Sequence, residues 1–322
     1  MSRDNKVNVS ILGCGAVTSE LYVRHLPNVR SWRVVVVSDL RLDSARSVAA
    51  ALNCRTGSSS EAIAAAKMVL IATPPSSHAQ LARQVIEAGR DVCIEKPFTT
   101  SALVAAELVE LANRTRCNIF VAHFRRLYPK VKLAREMILS GMFGAVRSLE
   151  MHEGVRFNWA AKSDYIARDP FGGVLFDTGS HTLDMALYAA GLDDVPLSVK
   201  VLGVQRDKHE PAHEIDGRFI LVSNGQEMEG RLHLSRTQIL ANVVRVRCER
   251  GSLEFGVGFD GGIWVITEGR RFTVMPADQL ESFTHAFELQ FYQIATSPDR
   301  SPMRAANFVN QIRILEALYG HE

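Results

Sequence analysis

The chain has 322 residues, of which 47% are hydrophobic and 22% charged, and its formal net charge is +2. That length is about twice the size of a typical domain, so we expect two globular domains, and the composition excludes a disordered chain. Because the basic residues are spread along the sequence, we expect no nucleic-acid partner. No apolar run reaches the ~18 residues of a membrane-spanning helix, so we expect no membrane partner either.

The five cysteines form no C-x-x-C pair, and an odd number leaves one over in any disulfide scheme. This pattern is typical of a reducing compartment. The N-terminal residues lead into a strand-like segment without the apolar region of a signal peptide. These features together predict a soluble cytoplasmic protein.

In chain order, the first 125 residues alternate short β-branched runs with helical patterns. The runs predicted as strands are 7–12, 33–38, 67–72, 92–95 and 118–122. Apolar strands that alternate with helices of roughly 10–15 residues are typical of a parallel sheet covered on both faces. The sequence therefore predicts an N-terminal Rossmann domain, a doubly wound parallel α/β sheet, over residues 1–125.

The pattern changes after Pro129, where a helix runs to Gly141 and is followed, beyond residue 195, by longer alternating strands. Asn224-Gly225 separates two of these strands and is a strong signal for a two-residue hairpin. We therefore predict a C-terminal α+β domain over residues 126–322 with a large, mostly antiparallel sheet for substrate binding and oligomerisation. Its last helical patterns, about 281–296 and 304–319, are candidates to pack back on the first domain.

The alternating strands of the second half carry apolar side chains that must be covered. We expect helices to cover one face of this sheet and a second subunit to cover the other, which predicts a homodimer or homotetramer. The side chains that suggest this are Val199, Val201, Phe219, Leu221, Val244 and Val246.

A glycine-rich stretch, G-C-G-A-V-T (13–18), follows the first predicted strand and opens a helix. Gly13 permits a tight turn, and Gly15 lets the backbone approach a pyrophosphate at the helix N-terminus. Thr18 departs from the small residue usual at its position, and a merely structural turn is the alternative. The residues expected to contact a dinucleotide here are Gly13, Gly15, Ala16 and Val17.

Asp39 ends the second predicted strand, 24 residues after Gly15. A carboxylate at this place accepts hydrogen bonds from the ribose hydroxyls and repels a 2′-phosphate, which predicts NAD as the cofactor. Arg41 follows two residues later, and its guanidinium is able to accept that phosphate instead, which leaves NADP open. The alternative for Arg41 is a solvated residue at a helix start.

Four segments, taken in order, resemble the family of glucose-fructose oxidoreductase and inositol dehydrogenase, called the Gfo/Idh/MocA family. They are G-C-G-A-V-T (13–18), A-T-P-P-S-S-H (72–78), E-K-P (95–97) and G-G-V-L-F-D-T-G-S-H-T-L-D (172–184). The resemblance covers essentially the whole chain. It implies that Thr73, Pro74 and His78 lie along the nicotinamide half of the cofactor. It also implies that Glu95 and Lys96 lie beside the nicotinamide ribose and that Lys96-Pro97 is a cis peptide.

Asp177 and His181 are four residues apart, which places them on one face of a helix. Alone, this spacing fits an acid–base pair, half of a metal site, or a helix start with a core histidine. Zinc usually needs three protein ligands with His or Cys predominating, and no second one occurs at ligand spacing here, so we predict no metal. E-K-P and the glycine-rich stretch in the same chain favour the acid–base interpretation.

The hypothesis for catalysis is hydride transfer between a nicotinamide and a secondary alcohol or ketone. His181 accepts or donates the hydroxyl proton, Lys96 polarises the oxygen, and Asp177 orients or charges the same cluster. Asp184 is three residues beyond His181 and is expected to play a supporting part.

Two further stretches, 152–159 and 234–237, resemble a branch of the family linked to sugar and secondary-metabolite chemistry. They suggest Arg156, Trp159, Tyr165 and Arg236 as substrate-pocket residues, with ordinary packing as the alternative. The leading hypothesis is an NAD(P)-dependent dehydrogenase or reductase for a sugar, a cyclitol or a sugar-bearing metabolite. Its rivals are glycosidic cleavage with transient NAD-dependent oxidation and a non-catalytic nucleotide or sugar sensor.

Overall fold

The structure, a computed structural model, describes residues 6–156, 169–276 and 282–321. Contacts divide the described chain into two compact units. The first unit contains residues 6–123 and 287–306, and the second contains 124–156, 169–276, 282–286 and 307–321. Residues 287–306 thus belong to the first unit, although they fall within the range 126–322 expected for the second domain.

A six-stranded parallel sheet forms the centre of the first unit. Its strands are β1 (Val7–Leu12), β2 (Trp32–Ser38), β3 (Arg55–Thr56), β4 (Met68–Ile71), β5 (Asp91–Glu95) and β6 (Ile119–Ala122). They are arranged in the order β3-β2-β1-β4-β5-β6. The chain reverses its direction across the sheet between β1 and β4, and sheets of this order bind dinucleotides at that switch point. The predicted Rossmann sheet is therefore confirmed.

Helices connect these strands. A π-helix (Thr18–Tyr22) continues into α1 (Val23–His25) and a 3-10 turn (Leu26–Asn28), followed by α2 (Leu42–Leu52), α3 (Ser59–Ala65), α4 (Pro75–Glu87) and α5 (Ala102–Thr115). Helix α3 begins with a capping box, in which the Ser58 side chain and the Glu61 side chain each accept from the other's backbone N–H. Such reciprocal bonds satisfy two amides that the helix itself leaves unpaired.

The C-terminal segment of the first unit packs through aromatic rings. The Phe291 ring lies 4.8 Å from the Trp32 ring and 5.6 Å from the Tyr22 ring, measured between centroids. The backbone N–H of Val121 in β6 donates to the carbonyl of Met303 at 2.8 Å. Burial of large aromatic surface therefore holds a segment that is distant in sequence against the Rossmann sheet.

The second unit contains an eight-stranded, mostly antiparallel sheet, as predicted. Its strands are β7 (Val146–Gly154), β8 (Ser198–Arg206), β9 (Glu214–Ser223), β10 (Gln226–Ser235), β11 (Val243–Cys248), β12 (Gly251–Gly256), β13 (Ile263–Thr267) and β14 (Arg270–Val274), in the order β14-β13-β12-β11-β7-β10-β9-β8. Strand β7 pairs parallel with β10 and antiparallel with β11. The predicted hairpin joins β9 to β10 with Asn224 at φ 51° and Gly225 at φ 76°.

The remaining helices are α6 (Pro129–Leu139), α7 (Val174–Ala190), α8 (Phe283–Thr296) and α9 (Val309–Tyr319), with 3-10 turns at Phe124–Leu127, Pro298–Arg300 and Ala305–Phe308. Helix α7 is almost entirely buried and lies on the eight-stranded sheet. Within the ranges given above, no helix combines the length and apolar character needed to cross a bilayer.

The two faces of the large sheet differ in chemistry. Phe219, Leu221, Val244 and Val246 are fully buried, and Val199 and Val201 lie on the same face through their pairing with Leu221 and Phe219. This face is the one that α7 contacts. The opposite face carries charged side chains joined in ion pairs, among them Arg231–Asp216, Arg245–Glu150 and Arg245–Glu254. The expectation that apolar residues line an uncovered face is therefore wrong, since period-2 alternation puts all six under the helices.

Candidate active site

The turn after β1 is built around Gly13. Its φ is 101°, and a Cβ added there would lie 2.4 Å from the carbonyl oxygen of Ala72, at the end of β4. Only glycine fits both the conformation and the space. At Gly15, by contrast, an added Cβ would meet nothing within 4 Å, so the turn is open on that side. An open backbone surface at the switch point is what a pyrophosphate needs to approach.

The Thr18 side chain stabilises this turn. It is fully buried, and its hydroxyl donates a hydrogen bond to the carbonyl of Gly13 at 2.7 Å. The departure from a small residue at this position is therefore explained by a local hydrogen bond that fixes the turn. Ala16 is buried and Val17 is half-buried on the same turn.

Asp39 follows β2 and holds two backbone amides. Its carboxylate accepts hydrogen bonds from the N–H of Cys14 at 2.7 Å and from the N–H of Arg41 at 2.7 Å. The Arg41 guanidinium lies 3.7 Å from the same carboxylate, and its side chain is 57% exposed. Asp39 thus ties the glycine turn to the end of β2, at the place where a ribose is expected.

His78 links two of the motifs in the first unit. The ring is fully buried, with Nδ1 2.8 Å from the carbonyl oxygen of Pro97 and Nε2 2.9 Å from the carbonyl oxygen of Thr73. Both ring nitrogens therefore face backbone acceptors of the two loops expected along the nicotinamide. Pro74 is exposed at the N-terminus of α4, and the Thr73 hydroxyl accepts from Ser77 at 2.7 Å.

The E-K-P turn follows β5, and its Lys96-Pro97 peptide is cis, as expected. The Glu95 carboxylate accepts hydrogen bonds from the backbone N–H of Lys96 at 3.0 Å and from the Tyr22 hydroxyl. Burial, and next the Glu95 carboxylate, raise the pKa of Tyr22 well above its usual value, so this hydroxyl stays a donor. Lys96 itself is half-buried on the turn.

In the second unit, Asp177 lies in the first turn of α7 and pairs with Arg236. The Arg236 Nη2 donates to the Asp177 Oδ2 at 2.8 Å, and the two side chains are only 5% and 21% exposed. A carboxylate in the first turn also interacts favourably with the helix dipole. Arg236 was expected in the substrate pocket, and the structure places its guanidinium on Asp177.

His181 is one helical turn further along α7 and is half-buried. Its ring centroid lies 5.8 Å from that of Phe124. Between these two positions, Gly179 brings α7 close to the sheet, since an added Cβ would lie 2.7 Å from Leu234 Cδ1 of β10. Phe124 and the close packing at Gly179 therefore define the surroundings of the histidine.

A second ion pair lies beside α7, and the sequence analysis did not identify it. The Arg125 guanidinium donates to both oxygens of Glu153, at 2.9 and 3.1 Å, and Thr182 donates to the same carboxylate. Burial disfavours the charged form of Arg125, but Glu153 more than offsets this and the pKa of Arg125 is raised. The signal in the sequence was Glu153 itself, which lies in the stretch 152–159 that served only to suggest a branch of the family.

Asp184 pairs with a different arginine. It is fully buried and accepts hydrogen bonds from Arg126, whose Nε lies 2.9 and 3.1 Å from its two oxygens. Asp193 accepts from the Arg126 Nη1 at 3.1 Å. Burial disfavours the Arg126 cation, yet the two carboxylates outweigh this and raise its pKa. Asp184 therefore belongs to a buried ion-pair network rather than to the acid–base pair.

The predicted residues are distributed over both units. The first unit contains the cofactor candidates and Lys96, whereas the second contains Asp177, His181 and Arg236. Arg156 is exposed just after β7. Trp159 and Tyr165 lie outside the described residues.

Residues 7–123 match the family described as "Oxidoreductase family, NAD-binding Rossmann fold", and residues 131–254 match the "GFO/IDH/MocA C-terminal domain". The chain belongs to the Gfo/Idh/MocA oxidoreductase family. The predicted family, its two-sheet fold and a nicotinamide dinucleotide as cofactor are thereby confirmed at the level of the family.

Two of the Gfo/Idh/MocA relatives have names that state a substrate. The inositol 2-dehydrogenase of Rhizobium meliloti is 29% identical over 195 residues, which is 60% of this chain and 57% of that protein. The UDP-N-acetylglucosamine 3-dehydrogenase of Acidithiobacillus ferrooxidans is 29% identical over 194 residues, 58% of each. The chain spans about half the length of the curated relatives it matches.

Among solved Gfo/Idh/MocA structures, an inositol dehydrogenase homolog from Azotobacter vinelandii, complexed with NADH and myo-inositol, has a TM-score of 0.77. It is 17% identical, and the match covers 99% of this chain and 96% of that chain. At that identity, the likeness establishes the shared fold.

Proposed function

We propose that this protein is an NAD(P)-dependent dehydrogenase or reductase that transfers hydride between a nicotinamide and a secondary alcohol or ketone. The observation that carries the proposal is the arrangement of α7, where Asp177 and His181 lie one turn apart and Arg236 holds Asp177 at 2.8 Å. The same chain carries an NAD-binding Rossmann fold and the E-K-P turn. An ion-paired carboxylate near a half-buried histidine is a typical arrangement for proton transfer.

The residues of the first unit fit a dinucleotide. The open backbone at Gly15 suits a pyrophosphate, and the Asp39 carboxylate suits ribose hydroxyls and disfavours a 2′-phosphate. We therefore expect NAD to bind more tightly than NADP. The exposed Arg41 guanidinium is the group that would accept a 2′-phosphate if NADP binds.

Held by the glycine turn, Asp39 and the E-K-P turn, a nicotinamide dinucleotide would supply the hydride acceptor for oxidation and the hydride donor for reduction. His181 removes the hydroxyl proton as the alcohol is oxidised and donates it back in reduction. The Asp177 carboxylate stabilises the imidazolium that results, and Arg236 fixes the position of that carboxylate. Lys96 places a positive charge by the substrate oxygen, where negative charge develops.

The substrate class proposed is a sugar, a cyclitol or a sugar-bearing metabolite. The names of two relatives, an inositol dehydrogenase and a nucleotide-sugar dehydrogenase, support a polyhydroxylated substrate. The ion pair of Arg125 and Glu153 lies next to α7 and supplies polar groups of both charges, which suit several hydroxyls.

The test is an activity assay of the wild type, His181→Gln and Lys96→Met on a panel of cyclitols, sugars and nucleotide sugars. Turnover is measured by the absorbance of reduced nicotinamide. Loss of a general acid–base or electrostatic group should lower turnover by about 10²- to 10⁴-fold. Binding of NAD, measured by calorimetry, should stay close to wild type for His181→Gln. The exposed His285 provides a matched control, and His285→Gln should leave turnover unchanged.

Near-normal rates in both variants would contradict the proposed roles. Product formation without net change in reduced nicotinamide would favour glycosidic cleavage with transient oxidation. Tight binding of nucleotide and sugar without turnover would favour a sensor. The homodimer or homotetramer stays a prediction, although the apolar residues that suggested it lie under the helices, and a light-scattering mass equal to that of one chain would contradict it.

A further inference from the structure

A histidine-containing segment connects β8 to β9. Its residues Asp207, His209 and His213 bring one carboxylate and two imidazoles together, and their ligand-type atoms all lie within 4.8 Å of one another. Asp207 and His213 are half-buried and His209 is exposed, so ions in solution can reach them. Across the described parts of the chain, no other trio of His, Cys, Asp or Glu side chains meets this distance.

The two imidazoles lie close together. The rings of His209 and His213 are stacked, with centroids 4.2 Å apart and planes 11° from parallel. Nδ1 of His209 lies 2.5 Å from Oδ2 of Asp207. Two ligands with bonds of about 2.0–2.2 Å to one tetrahedral ion lie about 3.4 Å apart. Because the planes of stacked rings do not converge on one point, a rotation of the exposed His209 side chain is needed to bring the three ligand atoms around one ion, and it also lengthens the contact with Asp207.

The carboxylate is held in place by the backbone. Oδ1 of Asp207 accepts hydrogen bonds from the N–H of His213 at 2.9 Å and from the N–H of Glu214 at 3.3 Å. These bonds orient the carboxylate and leave Oδ2 directed at the imidazoles. Outer-shell hydrogen bonds of this kind orient ligands in metal sites.

We propose that Asp207, His209 and His213 form a binding site for a divalent first-row transition metal ion of the zinc class. Two imidazole nitrogens and one carboxylate oxygen suit zinc and its neighbours, with further positions left to water. Magnesium and calcium prefer ligand sets made of oxygen alone, so the two histidines disfavour them.

The expected effect of the ion is to restrain the segment that carries its ligands. The carbonyl of Ala212 accepts from the N–H of Val174 at 2.9 Å, and the carbonyl of His213 accepts from the N–H of Arg236 at 2.9 Å. The same segment thus contacts the first residue of α7 and the arginine that pairs with Asp177. An ion that cross-links positions 207, 209 and 213 restricts the motion of this segment and therefore slows the opening of both hydrogen bonds.

The site lies outside the residues proposed for hydride transfer, so its test does not depend on that reaction. The first experiment is equilibrium dialysis of the full chain, freed of any affinity tag, against zinc, with cobalt absorption spectra to report coordination geometry. We expect one saturable ion per chain. Even loss of an outer-shell partner typically weakens binding by roughly 10- to 100-fold, so His209→Ala and His213→Ala should weaken it at least as much.

Two variants make the experiment specific. Asp207→Asn keeps an oxygen that accepts from the backbone amides but removes the anionic ligand. The segment should therefore keep its conformation while its affinity for zinc falls. His285→Ala removes an exposed histidine elsewhere in the second unit and should leave zinc binding unchanged. Equal zinc affinity in wild type and in His209→Ala would overturn the proposal, as would the absence of saturable binding.

Amide hydrogen exchange provides the second measurement. Zinc should slow exchange at the amides of Val174 and Arg236 in the wild type but not in His209→Ala. If zinc binds in the wild type yet leaves both amides unchanged, the restraint of this segment by the metal is wrong.

Discussion

Arg236 donates a hydrogen bond from Nη2 to Oδ2 of Asp177 at 2.8 Å, which joins the end of β10 to the first turn of α7. Both side chains are largely withdrawn from solvent, so the pair is held in one geometry. If Asp177 orients His181 in proton transfer, then Arg236 is the residue that positions Asp177.

We expect Arg236→Met to lower kcat by roughly 10²-fold, since misplacement of a catalytic group by about 1 Å has that effect. KM for the nucleotide should change little, and Arg236→Lys should recover part of kcat because it keeps the charge. Arg231→Met is the matched control, since Arg231 lies in β10, just before Arg236 in the chain, but pairs with Asp216 on the opposite face. Equal turnover in the two methionine variants would rule out the positioning role.

Asp39 offers a prediction on cofactor choice. Asp39→Asn removes the negative charge and keeps one of the two oxygens, so it can accept from only one of the amides of Cys14 and Arg41. We expect the ratio of NADP to NAD affinity to rise by roughly tenfold or more, because repulsion between like charges is lost. Fluorescence titration of both nucleotides measures this ratio. Asp43→Asn, a change at a side chain that is 98% exposed, serves as the control and should leave it unchanged.

The buried pair of Arg126 and Asp184 should dominate the stability of the second unit. Both side chains are fully buried, so Arg126→Met removes the cation that Asp184 contacts most closely and should lower the free energy of unfolding by about 3–5 kcal/mol. The exposed pair of Arg231 and Asp216 should contribute at most about 1 kcal/mol. Urea denaturation of Arg126→Met and Arg231→Met compares them directly, and equal losses would contradict this assignment.

The buried Lys130 side chain should make the free energy of unfolding depend on pH. It donates to the carbonyl of Asp260, and burial lowers its pKa from 10.5 to about 8. Between those two values the unfolded chain binds more protons than the folded one, so stability should rise as the pH increases from about 8 to 10.5. Below that window both states are protonated and this contribution is constant.

In Lys130→Met, the contribution to stability across this window should disappear. Urea midpoints measured at both ends of the window give the difference for each protein. An equal rise in the variant would mean that another group causes it.

The sequence was sufficient to predict five of the six strands of the first unit, because each of the five is a short apolar run bounded by turns. The run predicted at 7–12 is β1 (Val7–Leu12), and the run at 33–38 is β2 (Trp32–Ser38). The Asn224-Gly225 hairpin was equally accessible, since its signal is local. Strand β3 was not predicted, because two residues carry no detectable periodicity.

Features that depend on residues distant in the sequence could not be predicted from it. The place of β7 between β11 and β10 has no local signal, since its partners lie about 80 to 100 residues further along the chain. The same is true of Arg126 and Asp184, which are 58 residues apart. The proximity of Asp177 and His181 could be predicted because residues four positions apart on a helix are neighbours in space. The pairing of Arg125 with Glu153 could not, because it depends on the fold.

Gly179 determines how deeply α7 sits on the sheet. A single methyl group at this position would overlap Leu234, which is itself fully buried and has little room to move. The helix would then tilt or lift, and Asp177 and His181, which lie on either side of this point, would shift with it. The distance between the axis of α7 and the sheet thus determines where the proposed proton-transfer groups lie. Because Gly179 has no side chain, it allows this distance to be as short as possible.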